Sequence, residues 1–131
     1  MKIKNIYFER LQSSQIESIL NKDLPIKLAY LIGRAFDKLN SESRTYFKMK
    51  QKLIEKWAEK DKNGKIKTEK DNQTIIWKDY NKFIKELREL QDTEVEINIK
   101  PIEIDLDELE KKGITFKPGE IMLMPFLKIK T

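Results

Sequence analysis

The longest helical periodicity in the chain lies between Leu24 and Lys60, where Leu28, Ile32, Ala35, Leu39, Tyr46, Met49, Leu53 and Trp57 recur largely at steps of three and four. That spacing collects the apolar residues on one side of a long amphipathic helix, with Glu42 the single polar intruder. A seam of this length needs another helix to cover it. Asn40-Ser41-Glu42-Ser43 is a patch of weak helix formers inside the run. The register of Leu39, Tyr46 and Leu53 passes through it, which favours one continuous helix.

Pro25 suits the first turn of that helix, since its φ is fixed and its missing N–H would have no partner there. Asp61-Lys62-Asn63-Gly64 reads as its terminator, Gly64 or Asn63 taking the left-handed conformation. Lys65 to Trp77 is too polar for a core helix. Ile66 with Thr68 and Thr74 with Ile76 suggest two short strands around Lys70-Asp71-Asn72. A second periodic segment, Lys78 to Gln91, carries Tyr80, Phe83, Ile84, Leu87 and Leu90 on one face and can return along the first. It is about fourteen residues long against roughly thirty-five, a mismatch of roughly 30 Å. Part of the long helix is therefore left for other partners: the N-terminal helix, the C-terminal segment or a second copy of the protein.

The flanks read as short strands and turns. Met1 to Tyr7 alternates as an edge strand, and Phe8, Leu11, Ile16, Ile19 and Leu20 share a helical face. Glu94 to Lys100 alternates strictly, with Ile102 and Ile104 continuing beyond Pro101 in extended form. Asp105 to Lys112 gives a helical turn or two closed by Gly113, Ile114-Thr115-Phe116 returns extended, and Pro118 to Leu127 is a short helix or turn. The chain termini, Met1 to Lys4 and Leu127 to Lys130, could pair as strands. These elements predict an α+β fold: a long antiparallel helical hairpin packed with a small β-sheet. The 131 residues form one domain, with 24–91 the hairpin, 65–77 its tip, and 1–23 and 92–131 the sheet and short helices.

Composition restricts the chemistry. Cysteine and histidine are both absent, which removes thiolate nucleophiles, disulfides, sulfur-based zinc sites and any triad with an imidazole base. The four glycines, Gly33, Gly64, Gly113 and Gly119, are isolated, so there is no phosphate-cradling glycine loop. Glu94 and Glu96 share a strand face and could hold a cation or act as an acid/base pair, but a solvated strand face is the plainer reading, since no histidine or glycine-rich loop accompanies them. Asp105, Asp107 and Glu108 suit the N-terminus of a helix. A non-enzymatic protein without a cofactor is expected. No stretch approaches the ~20 apolar residues of a membrane span, and Met1 to Phe8 lacks a signal-peptide core, so a cytoplasmic protein is expected.

The charge of +5 is unevenly placed. Ser41 to Lys70 holds ten Lys/Arg against five Asp/Glu, while Glu86 to Glu110 holds two against ten. Arg44, Lys48 and Lys52 lie four apart and form a stripe that is either a solvated face or turned to an anion, and Trp77 and Tyr80 either cap the helical hairpin or stack on a base. Only four of the 27 basic residues are arginine, which favours a nucleotide-sized ligand over duplex DNA.

The layout also resembles a family of small bacteriophage proteins of unassigned function. The likeness is carried by Leu24-Pro25-Ile26-Lys27-Leu28-Ala29-Tyr30, by Gln51 to Lys56 followed by Glu59 to Lys65, and by Phe83 to Leu90 leading to Glu94-Val95-Glu96-Ile97. It implies a shared fold and phage origin and carries no catalytic residue. The expected role is an accessory protein that binds a host component and sequesters a small anionic nucleotide signal or blocks a defence protein. Arg34, Arg44, Lys48, Lys52 and Arg88 would supply charge, and Trp77 or Tyr80 a stacking surface. The alternatives are a virion or tail-assembly protein and a nucleic-acid-binding protein, and a homo-oligomer is expected through the uncovered length of the long helix.

Overall fold

A computed structural model describes residues 1–130. The fold is α+β, built on one continuous helix, α2 (Ile26–Trp57), 32 residues long. Pro25 is its N-cap residue, in extended conformation, so the helix begins one residue later. It passes unbroken through Asn40 to Ser43 because Leu39 and Tyr46, on either side of that patch, are both buried on one face. Ile32 and Leu39 are fully covered, and each such side chain contributes about 1.5–3 kcal/mol. Phe36 joins them, whereas Met49, expected in the seam, is 43% exposed.

The helix stops at Trp57, three residues before Lys60. Ala58 turns extended and is wholly buried, bridging Trp77. Gly64 therefore does not end the helix. Its left-handed φ of 78° serves a turn in which Asp61 Oδ1 accepts from the N–H groups of Asn63 (2.8 Å) and Lys65 (3.0 Å). The tip beyond brings the two expected extended pieces together, Thr68 bridging Ile75 antiparallel, and adds a third, Ala58 to Lys60, beside them. Glu59 N–H donates to Ile76 O (2.9 Å), Lys67 N–H to Glu59 O (2.8 Å), and Ile76 N–H to Lys67 O (3.0 Å). Asp71 closes the outer turn by accepting from the N–H groups of Thr74 and Gln73 and from the Thr74 hydroxyl, which draws its pKa down to about 2.

Helix α3 (Tyr80–Asp92) starts where Asp79 Oδ1 accepts from Lys82 N–H at 3.1 Å. It meets α2 at two levels. Glu86 accepts from Lys56 Nζ (2.9 Å) and Trp57 Nε1 (2.8 Å), and Gln91 Nε2 donates to the Tyr46 hydroxyl at 3.3 Å. That hydroxyl in turn donates to Glu9 Oε1 at 2.6 Å, where Lys50 also binds at 2.7 Å. Burial and the Glu9 hydrogen bond push the Tyr46 phenol up to about 12.

The predicted single sheet is two separate two-stranded ones. Strand β1 (Lys2–Lys4) pairs antiparallel with β2 (Glu94–Glu96), Ile3 opposite Val95. Strand β3 (Ile102–Ile104) pairs in parallel with β4 (Leu127–Ile129), Ile102 opposite Leu127. The two termini thus pair with β2 and β3, not with each other, and Ile114 to Phe116 forms no strand. After Lys4 the chain turns into a 3-10 helix over Asn5–Glu9, because Asn5 is buried and held by its side chain to Leu90 O and by its N–H to Thr93 O, both at 3.0 Å. The helix expected from Phe8 is α1 (Ser13–Leu20).

The C-terminal third contains α4 (Leu106–Lys111), capped by Asp105, and α5 (Pro118–Met122). Ile97, Ile99, Ile102, Ile104, Met124 and Phe126 join Phe8, Ile16, Ile19 and the buried face of α2 in one core cluster. Phe36 and Phe126 meet edge-on at 5.5 Å. The extended segment between β2 and β3 is thereby set against the first half of α2.

Candidate anion-binding cleft

Where that segment crosses α2 it leaves a cleft of about 320 Å³. One wall is about two turns of α2, Leu31, Arg34, Ala35 and Lys38; the other is Asn98, Ile99, Lys100 and Ile102. Strand alternation places Ile99 in the core, so Asn98 and Lys100 project outward. The i,i+4 spacing of Arg34 and Lys38 puts both cations on one side of the helix. Three cationic side chains converge, and no carboxylate lines the cleft. Ala35, Ile99 and Ile102 are buried and give it an apolar floor.

Lys38 is fixed by donating one Nζ hydrogen to Asn98 O at 2.6 Å, leaving two donors free to turn toward a ligand. The Arg34 guanidinium sits 5.8 Å from the ring centre of Tyr30, which is 60% exposed. A preset guanidinium with its fork unused, two ammonium groups and an apolar base suit a small anion that also carries a flat or apolar part. A volume near 300 Å³ is at the lower end of ligand-binding pockets.

Of the residues expected to bind ligand, Arg34 alone lines this cleft. Arg44, Lys48 and Lys52 are exposed farther along α2, and Arg34 to Lys52 spans about 27 Å at 1.5 Å per residue. Arg88 is exposed on α3. Trp77 and Tyr80 are brought together, 5.8 Å between ring centres, but Trp77 already stacks on Phe83 at 4.3 Å. Lys38, Asn98 and Lys100 were not singled out in the sequence. The available signals were the four-residue spacing from Arg34 to Lys38 and the position of Lys100 as the only cation between Glu89 and Glu110.

A second cleft, of about 440 Å³, lies beside α3 and is lined by Lys56, Trp57, Lys82, Lys85, Glu86 and Glu89. Lys56 and Lys82 sit 5.1 and 5.4 Å from the Trp57 ring centre, but Glu86 neutralises Lys56 and occupies the indole N–H. Two carboxylates stand among its three lysines, whereas the first cleft has none. The carboxylate of Glu96 is taken by the Met1 ammonium at 3.0 Å, and Glu94 is exposed.

Comparison with known proteins adds no relative. No family model, curated protein or solved structure matches the chain. Among the described residues no helix is long and apolar enough to cross a membrane.

Proposed function

We propose that the chain is a non-enzymatic binding protein that captures a small phosphate-bearing ligand, of nucleotide size or less, in the cleft between α2 and Asn98–Ile102. The observation that carries this reading is the meeting of Arg34, Lys38 and Lys100 over an apolar floor with no carboxylate among them. Arginine suits bidentate contact to phosphate oxygens, and the lysines add charge without fixed geometry. On the likeness to small phage proteins, the role is that of an accessory factor in the host cytoplasm that withdraws an anionic signal from a defence pathway. We also read α2 and α3 as one antiparallel helical hairpin, supported by Glu86 lying against Lys56 and Trp57 and Gln91 against Tyr46.

The test is titration calorimetry with a panel of mono-, di- and cyclic nucleotides, together with native mass spectrometry of protein taken from cells. A charge-assisted hydrogen bond is worth about 1.5–3 kcal/mol, so Arg34→Ala should weaken binding about ten- to hundredfold. Lys48→Ala, on the same helix outside the cleft, should leave it unchanged. Absence of any bound or titratable nucleotide, or equal losses in both variants, overturns the reading.

A second reading, a virion or tail-assembly component, is favoured by Ile26 and Tyr30, which are 86% and 60% exposed at the start of α2. Finding the polypeptide in purified particles would support it.

A further inference from the structure

Gly33 stands in the interior of a 32-residue helix, where glycine is about 1 kcal/mol less favourable than alanine. Nothing in the fold requires it. Its φ is not left-handed, and a Cβ built there meets no atom within 4 Å. At 100° per residue, Gly33 shares a face with Ile26, Tyr30 and Asp37, with Lys27 and Arg34 along one margin; the six span an arc of about 120° centred on Tyr30. That arc lies opposite the buried face formed by Ile32, Ala35, Phe36 and Leu39. Ile26 and Tyr30 are exposed large side chains, and among the described residues neither Lys27 nor Asp37 forms an ion pair.

We propose that this face is a self-association surface, on which α2 of a second copy crosses antiparallel about a two-fold axis between Tyr30 and Arg34. The spacing supplies the fit. Residues 30, 33, 34 and 37 outline a four-residue hole of the kind that receives one knob from a facing helix, and the knob is Tyr30 of the second copy. The bare backbone of Gly33 is the floor that admits the ring. Arg34 lies beside it for a cation–π contact, and the Asp37 carboxylate is placed to accept its hydroxyl. In the same register Lys27 of each copy falls opposite Asp37 of the other, so the charges complement twice by symmetry. A parallel pairing would set Lys27 against Lys27 and Asp37 against Asp37. The antiparallel two-fold, and thus a second copy of this chain as occupant, is what the charge order selects.

The surface adjoins the anion cleft through Arg34 but does not depend on that cleft binding anything. Sedimentation equilibrium over micromolar to near-millimolar protein should give a dimer of the 15.7 kDa chain. Lys27→Asp or Asp37→Lys alone creates two like-charge contacts and should raise the dissociation constant about a hundredfold. The double swap should restore it to within a few-fold of the wild type. Gly33→Leu, which fills the floor, should abolish the dimer while circular dichroism shows helix content unchanged. A wild-type chain that stays monomeric, single swaps without effect, or a double swap that fails to rescue overturns the proposal.

Discussion

Glu120→Ala should be among the most damaging single changes in the chain. The residue is 5% exposed, and its carboxylate accepts from Lys117 N–H (2.7 Å) and the Ser18 hydroxyl (3.1 Å), with Lys22 Nζ at 3.2 Å. These contacts tie α5 to α1 and keep Met124 and Phe126 in the core, where they back β3 and the far wall of the cleft. Loss of the α5 cap is worth about 1 kcal/mol. Loss of the charge-assisted contacts to the Ser18 hydroxyl and the half-buried Lys22 ammonium brings the expected total to about 3 kcal/mol, or roughly 10 °C in melting temperature for a chain of this size. Burial opposes ionisation of Glu120, but the Lys117, Lys22 and Ser18 hydrogen bonds and the Lys22 charge outweigh it and hold its pKa below the ordinary carboxylate value. Its contribution is therefore complete above the unfolded pKa near 4.5 and disappears as pH falls through the lower folded value. Urea denaturation of wild type and variant at neutral pH and again well below that value measures both quantities. The gap should be about 3 kcal/mol at neutral pH and shrink in acid. A neutral-pH gap under about 0.5 kcal/mol, typical of surface substitutions, or one that widens on acidification, would refute the argument.

Leu39→Ala removes a fully covered side chain from the centre of α2 and should cost about 3 kcal/mol in the same assay, with no change in helix boundaries. Asp79→Ala strips the α3 cap and should cost about 1 kcal/mol, while Asp79→Asn, which retains the acceptor, should recover most of it. Hydrogen exchange should place the α3 amides behind that difference, with Lys82 losing protection first.

Much of the scaffold was legible because periodicity is a local property. The continuity of α2 through Asn40–Ser43 and the position of α3 followed from the spacing of Leu39, Tyr46, Phe83 and Leu87. Strand partners did not follow, since three-residue ladders are chosen by tertiary contacts. Asn5 turns the chain after Lys4 because Leu90 and Thr93, distant in sequence, offer it acceptors. Met49 has the spacing of the seam, but α3 and Glu9 cover the helix around Tyr46 and leave Met49 outside. The cleft was half legible. Arg34 stood out as one of four arginines, whereas Lys100 gains meaning only once Pro101 and the β3 pairing bring it across from α2. Basic residues are dense around Arg44, Lys48 and Lys52, but cations from different elements meet where the Asn98–Ile102 segment crosses α2.

The most direct test of the cleft is an amide chemical-shift map of the isotopically labelled protein as a nucleotide is added. The account predicts shifts confined to Leu31–Lys38 and Asn98–Ile102, with Arg44–Lys52 and Trp77–Tyr80 unmoved. Shifts centred on either of those two regions, or none with any nucleotide, would contradict it.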